Sequence, residues 1–153
     1  ALAGLEDSKL EGRRMLDVGT GSGVLAIAAA RLGVTSLVAV DIDAVAIENA
    51  RLNLHVNLGE EHVSQRVILQ QGSAKDAGDE PFDVIVANIE SHILLPMVPD
   101  LLQRLGKGGC IIFSGLLRRE ERTFIDGLIE SGLTIDGRWQ RDDWFSCRAY
   151  VVD

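Results

Sequence analysis

The sequence predicts an α/β protein, a doubly wound and mostly parallel sheet of seven strands. Three observations carry this. Short apolar runs alternate with helical patterns, as in βαβ units that close right-handed onto a parallel sheet. The first apolar run ends in an acid, Asp17, and passes through alternate glycines, Gly19, Gly21 and Gly23, straight into a helical pattern. The last two runs are joined only by the polar turn Arg141-Asp-Asp143, which pairs them as an antiparallel hairpin.

Ala1 to Leu10 reads as a short helical lead-in. Arg13 to Val18 is the first strand, apolar enough to be buried on both faces. Ser22 caps a helix that runs to about Leu32, and Gly33 ends it. Ser36 to Asp41 is a second buried strand closing in an acid. Asp43 caps the next helix, which frays at Asn57 to Gly59. Arg66 to Gln70 is the third strand, and Gly72 to Pro81 is a polar loop. Phe82 to Asn88 is the fourth strand. Ser91 caps a helix whose Pro96 and Pro99 predict an irregular first half. Gly106 to Gly109 is a turn and Cys110 to Ser114 the fifth strand. Arg118 to Ser131 is an amphipathic helix with Phe124, Ile125, Leu128 and Ile129 inward. Leu133 to Gln140 and Trp144 to Val152 form the hairpin. No repeat or linker divides the 153 residues, which read as one domain.

The net charge of −8 argues against binding a phosphate backbone. It suits a basic protein partner or a cationic ligand, or it serves only solubility. Cys110 and Cys147 read as buried strand residues without a disulfide, which fits a reducing, cytoplasmic setting. No apolar stretch reaches membrane-spanning length, so no membrane association is expected. The chain opens without Met in what looks like mid-helix, which suggests an excised piece of a longer protein.

In open parallel sheets, ligands bind beyond the carboxyl ends of the strands. Residues there are the candidates. The spacing Gly19-x-Gly21-x-Gly23 departs from G-x-G-x-x-G, because Val24 stands where a small residue would let a pyrophosphate approach. A side-chain-free turn flanked by acids instead suits S-adenosylmethionine, which carries an ammonium and a sulfonium. The helix start after Gly23 offers free N–H groups to its carboxylate. Asp41, 22 residues after Gly19, is placed to accept both ribose hydroxyls. Asp17 matches the ligand's charge or bonds the turn backbone. Asp43 reads as a helix cap. Ser73 and Ala74 follow the third strand where an adenine edge would lie, although loop polarity also accounts for Ser73. Asn88 ends a buried strand, a poor place for an amide without a task. Its oxygen would hold an amine proton and aim the nitrogen at the methyl group, which makes it the candidate catalytic residue. The full cofactor-binding set is Asp17, Gly19, Thr20, Gly21, Gly23, Asp41, Ile42, Ser73, Ala74 and Asn88. His55, His62 and His92 have no metal-ligand spacing. His92 either flanks the crevice or is a surface residue. Trp139 and Trp144 read as packing or capping the sheet.

At Leu16 to Ala30, Val38 to Asp43, Val86 to Ile89, Phe113 to Leu116 and Asp143 to Phe145, the chain resembles the catalytic domain of the ribosomal protein L11 methyltransferases. These lie within the Rossmann-like class I methyltransferases. The resemblance implies a strand order of 3-2-1-4-5-7-6 with the last strand antiparallel, and cofactor contacts from Gly19, Asp41 and Asn88. It implies methylation of amines, at lysine side chains or the N-terminus of a ribosomal protein. The family's upstream substrate-recognition domain and its Gly-Thr-Gly-x-His-Pro-Thr-Thr segment do not occur here, and Glu90 replaces a usual aliphatic residue. The alternatives are a methyltransferase acting on another protein, a small molecule or nucleic acid, a nicotinamide-dependent oxidoreductase, and a silent cofactor-binding fragment.

Overall fold

A computed structural model describes residues 1–152. Strands β1 (Arg14–Val18), β2 (Ser36–Asp41), β3 (Val67–Gln71), β4 (Phe82–Asn88), β5 (Leu105–Leu117), β6 (Leu133–Arg141) and β7 (Trp144–Val151) form one sheet. Its order is β3-β2-β1-β4-β5-β7-β6. The first five strands pair in parallel, and β7 lies antiparallel to both β5 and β6. This is the doubly wound, seven-stranded sheet that the sequence predicts.

The two-residue period of a strand sends alternate side chains to opposite faces. Leu16, Val18, Val38, Val40, Ile85 and Ala87 meet helices α5 (Ser91–Arg104) and α6 (Glu121–Glu130) on one face. Met15, Leu37, Ala39, Val84 and Val86 meet α1 (Leu2–Glu6), α2 (Val24–Arg31) and α3 (Ala44–Leu58) on the other. Both faces are covered, so the continuous apolar runs are explained. Cys147 is buried and Cys110 half-buried, and both thiols are free. No helix among the described residues is long and apolar enough to cross a membrane.

Register then fixes the rim. Val18, Val40, Gln70, Ala87 and Phe113 form one row across β1 to β5. The next position on each strand is Gly19, Asp41, Gln71, Asn88 or Ser114, so these residues emerge together at the carboxyl edge.

Several local expectations are corrected. Ser22 does not cap α2, because Gly23 holds the N-cap in the left-handed region at φ 82° without a side-chain cap. Ser91 is the first residue of α5 rather than its cap, which is Glu90. That helix is unbroken through Pro96 and Pro99. Both rings are exposed, so water can satisfy the carbonyls that they leave without an N–H. A separate helix, α4 (Glu60–Arg66), follows Gly59 where fraying was expected. It buries only Val63 and so shows no apolar period, while Glu60 and Glu61 favour its N-terminal end. Strand β5 begins at Leu105 and takes in the glycine run read as a turn. Ile129 is 56 % exposed, beside rather than within the buried stripe of α6.

Candidate functional site

The emerging rim encloses a crevice of about 730 Å³, lined by Gly19, Asp41, Ile42, Ser73, Asn88, Glu90, Ser114, Gly115 and Trp144 among others. Gly19, Asn88, Ser114 and Trp144 also line a neighbouring cavity of about 1230 Å³, which takes in Thr20, Gly21 and Ser22.

The turn after β1 is built from backbone. The N–H groups of Gly19 and Thr20 both donate to the Val40 carbonyl, at 2.9 and 3.0 Å. Gly19 has φ 71°, and a Cβ there would lie 2.8 Å from Ile89 Cγ1. Gly21 has φ 55° and open space where a Cβ would stand, which leaves its backbone bare to the cavity. Gly23 serves packing instead. A Cβ there would lie 3.3 Å from Ala50 Cα, so the glycine lets α2 approach α3, and it lines neither cavity.

Asp41 ties β2 to this turn. Its Oδ2 accepts from Gly21 N–H at 2.9 Å and its Oδ1 from Asp43 N–H at 3.0 Å. Each carboxylate oxygen keeps a lone pair for a hydroxyl donor. Asp43 accepts from Val45 N–H at 2.8 Å, as a helix cap does. Ile42 beside them is 78 % exposed on the crevice lining.

Asp17 lies beneath the turn, fully buried, and does not line the crevice. Its Oδ2 accepts from the Thr20 hydroxyl at 2.7 Å, and its Oδ1 has no hydrogen-bond partner. Burial pushes its carboxyl up to about 6, against the pull of the Thr20 bond and with help from the Asp41 charge. An unfolded aspartate titrates near ~3.9. The folded state therefore holds this proton more tightly. The group favours folding most below about pH 4 and loses about 3 kcal/mol as pH rises to about 6. Asp17→Asn removes that dependence. Between pH 4 and 7, urea unfolding is expected to show the variant gaining on the wild type by about 2–3 kcal/mol. Parallel curves would exclude Asp17 as the cause.

Ser73 lines the crevice, but its hydroxyl is engaged in its own turn. It donates to Asp76 Oδ2 at 2.9 Å and accepts from Lys75 N–H at 3.3 Å. Ala74 starts a 3-10 turn, is 1 % exposed, and belongs to the core rather than the lining. Asn88 pairs in register with Ser114, and its amide has no hydrogen-bond partner among the described residues. A Cβ at Gly115, where φ is 77°, would lie 3.2 Å from Asn88 Oδ1 and 3.1 Å from the Ile89 backbone. Gly115 thus lets the end of β5 close on Asn88.

Gly72, Ile89, Ile93, Met97, Ser114, Gly115 and Trp144 line the crevice and are absent from the sequence-derived set. The run Phe113 to Leu116 held the signal for Ser114 and Gly115. Trp144, 54 % exposed, lines the crevice, whereas Trp139 lines only the neighbouring cavity and donates to Asp7 Oδ2 at 3.0 Å.

The family model described as "Ribosomal protein L11 methyltransferase (PrmA)" matches residues 1–151. The ribosomal protein L11 methyltransferase of Geobacillus kaustophilus is 41% identical over 143 residues, covering 94% of this chain and 45% of that protein. That of Anoxybacillus flavithermus is 40% identical over 140 residues, covering 92% and 44%. The chain thus spans under half the length of the curated relatives it matches. The crystal structure of a ribosomal protein L11 methylase from Lactobacillus delbrueckii subsp. bulgaricus superposes with a TM-score of 0.86 at 32% identity, over 98% of this chain and 75% of that one.

Proposed function

This chain belongs to the ribosomal protein L11 methyltransferase family, and from that premise we propose that it transfers methyl groups from S-adenosylmethionine to amines of a ribosomal protein, at lysine side chains or the N-terminus. One observation carries the cofactor assignment. The Asp41 carboxylate is bonded to the Gly21 N–H in a turn where Gly19 and Gly21 carry no side chain, at the rim that also bears Asn88.

The donor set fits a cationic adenosyl ligand. Asp41 offers paired acceptors for a diol, and the crevice lining bears carboxylates, Asp41 and Glu90, but no Lys or Arg. The neighbouring cavity beside the turn adds Arg138, Arg141 and Asp142. Gly19, Thr20 and Gly21 would carry the amino-acid end of the cofactor. Ile42 and Ser73 would flank its base. Asp17 would act through Thr20 and the turn, and Gly23 and Ala74 through packing. When bound, S-adenosylmethionine supplies an electrophilic methyl group on a sulfonium.

The residues of the chain then do the positioning. The Asn88 amide oxygen, free of protein partners, accepts an N–H of the acceptor amine and directs its lone pair inward. Holding two reactants in line is worth up to roughly 7–11 kcal/mol of a barrier. Apolar neighbours such as Ile89, Ile93 and Met97 limit water and favour the uncharged amine. The net charge of −8 suits a basic protein acceptor. Residues 1–153 are taken to act as one cofactor-binding domain.

Calorimetric titration with S-adenosylhomocysteine, with NAD in parallel, tests the cofactor. Binding of the first alone is expected, and binding of NAD alone would overturn the assignment in favour of an oxidoreductase. Transfer of tritiated methyl from S-adenosylmethionine to amines of ribosomal proteins tests the reaction. Cofactor binding without transfer would mark this stretch as a silent binding domain.

A further inference from the structure

We propose that Glu90 selects a cationic acceptor at the mouth of the crevice. The proposal rests on the methyltransfer reading above and concerns which amines reach Asn88.

Charge is sparse on this lining. Its two charged side chains are Asp41, from the end of β2, and Glu90, two residues past the end of β4. Both oxygens of Asp41 already accept backbone N–H groups. Glu90 has no such engagement. It occupies the N-cap position of α5, yet its side chain makes no cap hydrogen bond to the helix.

Glu90 follows closely on the end of β4. Ile89 N–H donates to the Ser114 carbonyl at 3.2 Å, which continues the β4–β5 pairing past Asn88. Glu90 keeps an extended conformation, with φ −63° and ψ 147°. The chain bends at Ile89, between the two residues. Asn88, with its free amide, and Glu90 both line the crevice. An alkylammonium held against Asn88 lies in the same crevice as the Glu90 carboxylate.

His92 Nδ1 lies 3.5 Å from Glu90 Oε2, and the two side chains are 72% and 77% exposed. The other lining residues near the mouth are Ile93 and Met97 on α5, Ser114 and Gly115 on β5, and Trp144 on β7. None of these carries a charge at neutral pH.

Nuclear magnetic resonance titrations of the chain with N-acetyl-lysine methylamide and its norleucine counterpart, under saturating S-adenosylhomocysteine, test this. The lysine compound is cationic, and the norleucine compound has no charge. Glu90→Gln is expected to weaken lysine binding about fivefold, the scale of an exposed ion pair, and to leave norleucine binding unchanged. The difference should shrink with added salt. Glu90→Lys should weaken lysine binding further. Equal losses for both compounds, or none, would overturn the role of Glu90. Failure of S-adenosylhomocysteine to bind any variant would strike the proposed function instead.

Discussion

Asp41→Ala is expected to weaken S-adenosylhomocysteine binding by about 100-fold or more in calorimetry, and is the largest functional effect anticipated from a single change. The carboxylate does two things at once. It holds the glycine turn through Gly21 N–H and its own following backbone through Asp43 N–H. It also presents the acceptors proposed for the ribose. Hydrogen bonds to a charged group contribute about 1.5–3 kcal/mol each, and about 2.7 kcal/mol corresponds to 100-fold in affinity. Asp43→Ala separates the two effects. That substitution removes the cap on Val45 N–H, at a cost of about 1 kcal/mol in stability, but leaves the turn intact. It should alter cofactor affinity less than threefold. An Asp41→Ala protein that binds within threefold of the wild type would remove Asp41 from the site.

Phe124→Ala is expected to carry the largest stability cost, about 3–5 kcal/mol. The ring is 1% exposed. It packs edge-on against Phe113 at 5.6 Å and against Phe145 at 6.2 Å, so its loss opens a cavity and ends two aromatic contacts. For a chain of 153 residues this corresponds to a fall of about 10 °C in Tm. Phe113 precedes Ser114, and Phe145 follows Trp144, so the same cluster supports two residues of the crevice lining. Ile129→Ala, on the same helix at an exposed position, should stay within about 0.5 kcal/mol. Urea unfolding of both variants decides the matter, and a loss below 1 kcal/mol for Phe124→Ala would show that α6 is dispensable to the core.

Periodicity and strand-end chemistry carried most of the fold into view. Ser36 to Asp41 and Phe82 to Asn88 have the bounds read from their apolar runs, because strands buried on both faces leave no ambiguity about where water begins. The carboxyl rim followed, since parallel register aligns the strand ends. Elements without an apolar period were the ones missed. Helix α4 buries one side chain and is specified by its ends and its charges. Ser22 and Ser91 have the residue type of a cap but not the place, because the glycine turn and the extended Glu90 set where each helix starts.

The crevice and its neighbouring cavity were legible where backbone demanded a residue type, as at Gly19 and Gly21, or where a polar group ended a buried strand, as at Asp41 and Asn88. Gly23 belongs to the same motif but answers to Ala50 on α3, a contact that no local reading contains. Trp144 and Met97 reach the lining from distant parts of the chain, through the β7–β5 pairing and the seating of α5. Only the folded chain reveals such long-range placement.

The Val40 carbonyl receives two N–H groups from the turn, so the loop between β1 and α2 is shaped before anything arrives. An incoming molecule meets that turn already formed, so no ordering of Gly19 and Thr20 has to be offset when it binds there.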